Sequence, residues 1–222
     1  MIDIVFDHQD WLVANKPTGM NFHSEDGQAG FMVILEQQLG IKLWPVHRLD
    51  KLTSGLLLLA KSQQACAELS ALFAHREVEK YYLAITSSKL KKKQGLIKGD
   101  MVKARRGAFK LAPTQQNPAV TQFYSVSLKP GYRLCLLKPK TGKTHQLRVA
   151  MKSQGSAIIG DTLYSGQTAK RLYLHSYALR FKWHGTEYQV VSDGVFEPDY
   201  DLSPILQEHS WKTPWLLTWP NV

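Results

Sequence analysis

Three polar clusters interrupt otherwise ordinary apolar patterning, and each holds side chains able to do chemistry. The first, His47-Arg48-Leu49-Asp50, sets a carboxylate beside a guanidinium and an imidazole. The same residues serve equally as an Asp capping a turn and an Arg paired with it. The second runs from Lys138 to Arg148 and contains Gly142-Lys143-Thr144. A phosphate loop would need a glycine five residues before Gly142, where Leu137 stands, so nucleotide hydrolysis is not supported. The third, Ala157-Ile158-Ile159-Gly160-Asp161-Thr162-Leu163-Tyr164, reads alone as a structured loop. No metal site is expected: the eight histidines include no His-x3-His pair, and His47 beside a cation is a poor ligand. A serine hydrolase lacks its Gly-x-Ser-x-Gly elbow, and Cys66 and Cys135 lie in apolar patterns that read as core.

The elements that position these clusters follow from periodicity. Ile2 to Phe6 and Trp11 to Ala14 predict a hairpin, closed off by Asn15-Lys16-Pro17-Thr18-Gly19. Phe31, Ile34, Leu35 and Leu39 predict a helix stopped by Gly40. Ser62 caps a second helix with Ala65, Cys66, Leu69, Leu72 and Phe73 on one stripe. Between the helices, the first cluster is delivered at the mouth of a buried strand, Leu56 to Ala60. Further strands are predicted at 78–86, 120–128, 132–137, 171–177, 179–183 and 187–191. In the 78–86 strand, Tyr81, Leu83 and Ile85 alternate with Lys80, Tyr82 and Ala84. Residues 144–154 predict a helix with Leu147, Ala150 and Met151 inward and His145, Arg148 and Lys152 together on another face. Strands outnumber helices and follow one another directly, which predicts an α+β fold with a largely antiparallel sheet. No linker or repeat divides residues 1–222, so a single domain is expected.

With 44% hydrophobic residues the 222-residue chain can bury a core, and no apolar run approaches the roughly 20 residues of a membrane span. The start has no signal-peptide pattern, and two distant cysteines form no disulfide framework, so a cytoplasmic location is the default. Net charge is +10, and residues 89–110 concentrate it: nine Lys and Arg, among them Lys89, Lys91, Lys92, Lys93, Arg105 and Arg106, stand against Asp100 alone. A polyanion is the expected partner, the alternative being a solvated charged loop.

Taken together and in order, these segments resemble the RluA family of RNA pseudouridine synthases. The matching strings are Asn15-Lys16-Pro17-Thr18-Gly19, His47-Arg48-Leu49-Asp50 with Thr53-Ser54-Gly55-Leu56-Leu57-Leu58-Leu59-Ala60-Lys61, Lys80-Tyr81-Tyr82-Leu83-Ala84, Thr141 to Arg148, Ile159 to Tyr164, and Arg171-Leu172-Tyr173-Leu174-His175. The resemblance spans about residues 2 to 193 and leaves the tail at 196–222 uncovered. It implies the pseudouridine synthase catalytic fold, a mixed sheet with flanking helices. The activity it implies is isomerisation of a uridine in rRNA or tRNA by a monomer without metal or organic cofactor. It also implies roles. Asp50 is the essential carboxylate, open to attacking C1′, attacking the uracil ring, or taking the C2′ proton. Arg148 pairs with that carboxylate and Tyr82, next to Tyr81, stacks on uracil. Arg48, with His47 beside it, fills the gap left by the extruded uridine, and Lys91, Lys92, Lys93, Arg105 and Arg106 bind RNA phosphate.

The chain departs from the family pattern at Ala150, where a histidine is common, and at Lys143, where an arginine is common. No basic domain precedes residue 2, so the short members are the nearest likeness and the catalytic domain is expected to recognise RNA itself. A non-catalytic RNA-binding module with this fold would have lost Asp50, Tyr82 or Arg148, and all three are present. A glycosidase for free nucleosides would leave the basic stretch unexplained and wants two carboxylates. In the tail, Trp211, Trp215 and Trp219 recur every four residues, but Pro214 rules against one continuous helix and favours a strap over the core.

Overall fold

The computed structural model describes every residue except Asp26, Ser88, Lys89 and Val222. In chain order the elements are β1 (Asp3–Asp7), β2 (Trp11–Lys16), α1 (Phe31–Leu39), β3 (Trp44–Pro45), β4 (Ser54–Ala60) and α2 (Gln63–Ala74). Next come β5 (Glu79–Ser87), β6 (Gln94–Lys103), β7 (Phe109–Ala112), β8 (Pro118–Lys129), β9 (Tyr132–Pro139) and α3 (Gln146–Ser153). The chain ends with β10 (Leu174–Trp183), β11 (Thr186–Val191) and α4 (Ser203–Glu208). It forms two compact units: Met1–Lys80 with His175–Val195, and Tyr81–Leu174 with Phe196–Val222. The fold is α+β and mostly antiparallel, as expected. Among the described residues no helix is long and apolar enough to cross a membrane.

In the first unit the strand order is β1-β2-β4-β10, with β3 on β4 and β11 on β10. β4 is buried along its whole length, consistent with its unbroken aliphatic run. Around it Trp11, Val13, Leu56, Leu58, Leu179 and Phe181 make a core, against which α2 lays Ala65 and Leu69. The Ser62 hydroxyl accepts the Ala65 N–H at 3.1 Å and starts α2. Gly40 ends α1 in the left-handed region at φ 67°. The parallel pairing of β4 with β10 begins at Ser54↔His175 and Gly55↔Ser176. It demands glycine: a Cβ on Gly55, at φ 111°, would lie 2.3 Å from the Ser176 carbonyl oxygen. The segments expected as separate strands at 171–177 and 179–183 are joined in the one strand β10, which begins at Leu174 and runs without a break through buried Ala178.

In the second unit the antiparallel order is β5-β9-β8-β6-β7. The basic stretch is part loop and part strand: Lys91, Lys92 and Lys93 lie in the connection before β6, and the rest follows as strand and turn. From Gln94 on it forms the edge hairpin β6–β7, with Arg106 in the left-handed region at φ 56° in its turn. Lys89 lies outside the described residues. Pairing of Tyr82 with Leu137, and of Leu137 with Phe123, puts these three on one face of the sheet. Tyr81, Lys138, Gln122 and Tyr124 occupy the other face, and the tail covers it. Gln122 Nε2 donates to Pro220 O, the Tyr124 hydroxyl donates to Thr218 O, and Trp219 stands 5.8 Å from Tyr81 and 5.1 Å from Tyr124. Lys138 Nζ is held over the Tyr81 and Trp219 rings, at 5.1 and 5.6 Å. Pro214 opens a short 3₁₀ turn, so the tryptophan spacing makes a strap with broken helices, as the proline dictates.

Candidate active site

Asp50 sits on a loop whose backbone is fixed carbonyl by carbonyl. The Asp50 carbonyl accepts the Thr53 N–H at 3.0 Å. Lys51 O accepts from Gly19 N–H at 2.9 Å and from Lys16 Nζ at 3.0 Å. Leu52 O accepts the Thr18 hydroxyl at 2.7 Å, and Thr53 O accepts Lys16 Nζ at 2.9 Å. The Lys-Pro-Thr-Gly string is thus a clamp for the turn that carries the carboxylate. Lys16 is fully buried, and that burial pushes its ammonium down to about 8, with the charge of Asp50 acting in the opposite direction. Below the loop, Ser54 Oγ lies 2.8 Å from His175 Nδ1 and His175 Nε2 lies 3.0 Å from Ser192 Oγ, a buried chain at the first residue of β4.

On the other side of the same turn, Leu49 is buried and Arg48 is exposed. His47 turns inward: its ring stacks on Phe73 with centroids 4.5 Å apart, and Nε2 accepts the Leu58 N–H at 3.0 Å. That burial, with the Lys80 cation adding, pushes the imidazole down to about 3, although part of the residue remains accessible. His47 therefore pins the loop as a neutral ring while Arg48 is displayed. Because the unfolded chain takes up a proton near pH 6.5 and the folded chain does not, stability present above pH 6.5 is lost as pH falls towards 3. Denaturant unfolding at pH 7 and pH 4.5 should show a smaller acid loss for His47→Gln, and an equal loss would contradict this assignment.

In the second unit, every residue of His145-Gln146-Leu147-Arg148 has a separate task. Gln146 Nε2 donates to Val120 O and Thr121 Oγ1, both at 3.0 Å. Its Oε1 accepts from the Thr141 hydroxyl at 2.7 Å and from Lys143 N–H at 3.1 Å. These bonds seat the start of α3 on the sheet face that carries Tyr82. Leu147 is core. Arg148 is buried and meets Asp161 with two parallel bonds, Nε to Oδ2 at 2.7 Å and Nη2 to Oδ1 at 2.8 Å. The face of its guanidinium lies 5.0 Å from the centre of the Tyr164 ring. His145 Nδ1 is 2.9 Å from the Tyr164 hydroxyl.

The expected helix 144–154 is corrected here. It begins at Gln146, with His145 outside it in the left-handed region at φ 58°. His145 lies outside the helix, and of the other two Arg148 is buried while Lys152 is exposed, so the three do not form one polar surface. Tyr82 is 9% exposed and lies opposite the strap, whereas Tyr81 is spent against the tail. His47, Arg48 and Asp50 share one loop of the first unit. Tyr82, Arg148, the loop before β6 with Lys91, Lys92 and Lys93, and the hairpin turn with Arg105 and Arg106 belong to the second, all five basic residues exposed. Sequence reasoning missed the clamp of Lys16, the Asp161 partner and the Tyr164 contacts, although Lys16-Pro17-Thr18-Gly19 and Gly160-Asp161-Thr162-Leu163-Tyr164 stood out as strings. Among the described residues no group of three or more His, Cys, Asp or Glu could hold a metal ion. Cys135 is buried in β9 and its thiol is pushed up to about 12 by that burial, which suits core and not a nucleophile.

Known proteins are similar to this chain. The profile of the RNA pseudouridylate synthase family matches residues 10–153. An uncharacterized RNA pseudouridine synthase of Haemophilus influenzae is 52% identical over 185 residues, covering 82% of this chain and 83% of its own. A tRNA pseudouridine synthase C of Vibrio vulnificus is 33% identical over 218 residues, covering 86% and 89%. Among solved structures, human RNA pseudouridylate synthase domain containing 1 superposes with a TM-score of 0.77 at 23% identity over 94% of each chain, a likeness of fold.

Proposed function

The chain belongs to the RNA pseudouridylate synthase family and isomerises uridine in RNA to pseudouridine, and we propose that Asp50 is the carboxylate that carries this reaction. The reaction breaks the C1′–N1 bond, joins C1′ to C5, removes the C5 proton and returns a proton to N1. It needs a carboxylate at the sugar and a group that handles the C5 proton. The observation that carries the proposal is the loop: four successive carbonyls, from Asp50 to Thr53, are each bonded, so the carboxylate is held in place before substrate arrives. Tyr82 is assigned to the uracil and its C5 proton, and Arg148 to the cation of the site, its guanidinium oriented by Asp161. The test is release of tritium from RNA labelled at uridine C5 by the purified chain. Release with matching pseudouridine supports the assignment, and none on any rRNA or tRNA would contradict it.

Binding is assigned to other residues. Duplex or stacked RNA hides the glycosidic bond, so the uridine must leave the stack, and exposed Arg48, next but one to Asp50, is the planar cation to fill the gap. Arg48→Ala should slow single turnover on structured RNA and be partly rescued when the target uridine sits in a mismatch or open loop. Equal loss on both substrates would remove Arg48 from that role. Lys91, Lys92, Lys93, Arg105 and Arg106 supply phosphate contacts that position RNA without reading its sequence. Replacing the three lysines by Gln should weaken every RNA alike and reduce the log–log salt slope by roughly 0.7 to 0.9 for each phosphate no longer neutralised. An unchanged slope would make the lysine run a solvated edge. The enzyme is taken to act as a monomer in the cytoplasm, on rRNA or tRNA.

A further inference from the structure

One side chain touches both the basic hairpin and the catalytic cation. Tyr164 accepts the N–H of Phe109, the first residue of β7, on its phenolic oxygen at 3.0 Å. The same oxygen lies 2.9 Å from His145 Nδ1, and the ring lies 5.0 Å from the Arg148 guanidinium carbon. Val149 and Ala157 pack around Tyr164, and Met101, Ala108 and Leu111 of the hairpin pack against that cluster. A phenol has one proton and two lone pairs. The hydroxyl accepts from Phe109 and shares a hydrogen bond with the His145 ring, and His145 itself takes a left-handed conformation that a non-glycine residue rarely adopts.

The hairpin turn can transmit force to this point. Ala104 N–H bonds to Ala108 O at 2.8 Å and Ala108 N–H bonds to Arg105 O at 3.2 Å, so the turn bearing Arg105 and Arg106 is closed on itself directly before Phe109. A displacement of the arginines towards phosphate is delivered to β7 and not absorbed in a slack loop. Asp161 grips the Nε–Nη2 edge of Arg148 and the Tyr164 ring lies against its guanidinium carbon, so both residues bear on where the guanidinium sits.

We propose that Tyr164 is a positioning residue that couples docking of RNA phosphates on the 103–109 turn to the placement of Arg148. This rests on the assignment of Arg148 to the reaction and of the hairpin to RNA. Docked phosphates fix the turn, the turn fixes the Phe109 N–H, and that bond fixes the ring under the guanidinium. Arg148 is thereby set for reaction when an RNA long enough to reach the hairpin is bound.

The experiment compares wild type, Tyr164→Phe, Arg105→Gln/Arg106→Gln and the combined variant. It reads single-turnover rate at saturating RNA, RNA affinity at several salt concentrations, and amide hydrogen exchange at Phe109. Tyr164→Phe keeps the ring and deletes only the oxygen, so it should lower the rate about tenfold through misplacement of Arg148 while affinity changes less than about threefold. The arginine pair should lose both affinity and rate, and the combined variant should lose no more rate than Tyr164→Phe alone. RNA should slow Phe109 exchange in wild type and not in Tyr164→Phe. Fully additive rate losses, a wild-type rate for Tyr164→Phe, or exchange at Phe109 indifferent to RNA each overturn the coupling while leaving the RNA surface standing. If the arginine pair keeps wild-type affinity and salt slope, the RNA surface itself fails and the coupling fails with it.

Discussion

Asp50→Asn is expected to abolish pseudouridine formation, with turnover down by about four orders of magnitude, while RNA affinity stays within about threefold. Asn matches Asp in shape but is neither a nucleophile nor a base at neutral pH, so a step that needs the charged oxygen is lost and little else. The loop should survive the change, because its carbonyls are held by Lys16, Thr18 and Gly19 and not by the carboxylate. Lys16 loses the charge that opposes its own lowering, so its ammonium should titrate below the present value of about 8. Affinity is insensitive because binding rests on phosphate contacts remote from the reacting bond. The check is tritium release and filter binding on the same preparation. Turnover near wild type would remove Asp50 from the chemistry, and loss of folding would show that the carboxylate belongs to the clamp.

The second large effect concerns the buried Arg148–Asp161 pair. Breaking it with Asp161→Asn leaves a guanidinium out of water opposite a neutral amide, which should cost about 3 to 5 kcal/mol of stability together with activity. Replacing both members by apolar residues, as Arg148→Met with Asp161→Leu, removes the buried charges altogether and should recover most of that stability without recovering activity. Urea unfolding alongside single-turnover rates separates the two roles of the arginine. If Asp161→Asn unfolds at the wild-type urea concentration, the bidentate contact contributes nothing to the fold. If the double apolar variant turns over, Arg148 is not needed at the reacting centre.

Much of this was legible in the residues. The β1–β2 hairpin, the Ser62 cap, the Gly40 stop and the buried β4 follow from alternation and local capping, effects that act within a few residues. The clusters around Asp50 and Arg148 showed themselves as polar interruptions of apolar patterning. The rest depended on partners distant in sequence. β6 and β7 carry lysines, glycines and Asp100 where a strand usually carries branched apolar residues, and they are held by backbone pairing, β6 to β8 and β7 to β6, that no side chain announces. The helix expected from Thr144 starts two residues later, at Gln146, with His145 in the left-handed region and bonded to Tyr164. Periodicity aligned Arg148 with Lys152, but the bond that decides its burial is to Asp161 in a different string. The clamp of Lys16 joins two motifs whose separation along the chain hides that one holds the other.

The central claim is that this chain makes pseudouridine in RNA and that Asp50 does the work. The most direct measurement maps pseudouridine, by a base-specific chemical method, in total RNA from cells with the gene intact, deleted, and restored as wild type or as Asp50→Asn. A small set of uridines in rRNA or tRNA should lose the modification on deletion, regain it with the wild-type chain and stay unmodified with Asp50→Asn. A map unchanged by deletion, or restored equally by Asp50→Asn, would contradict the account.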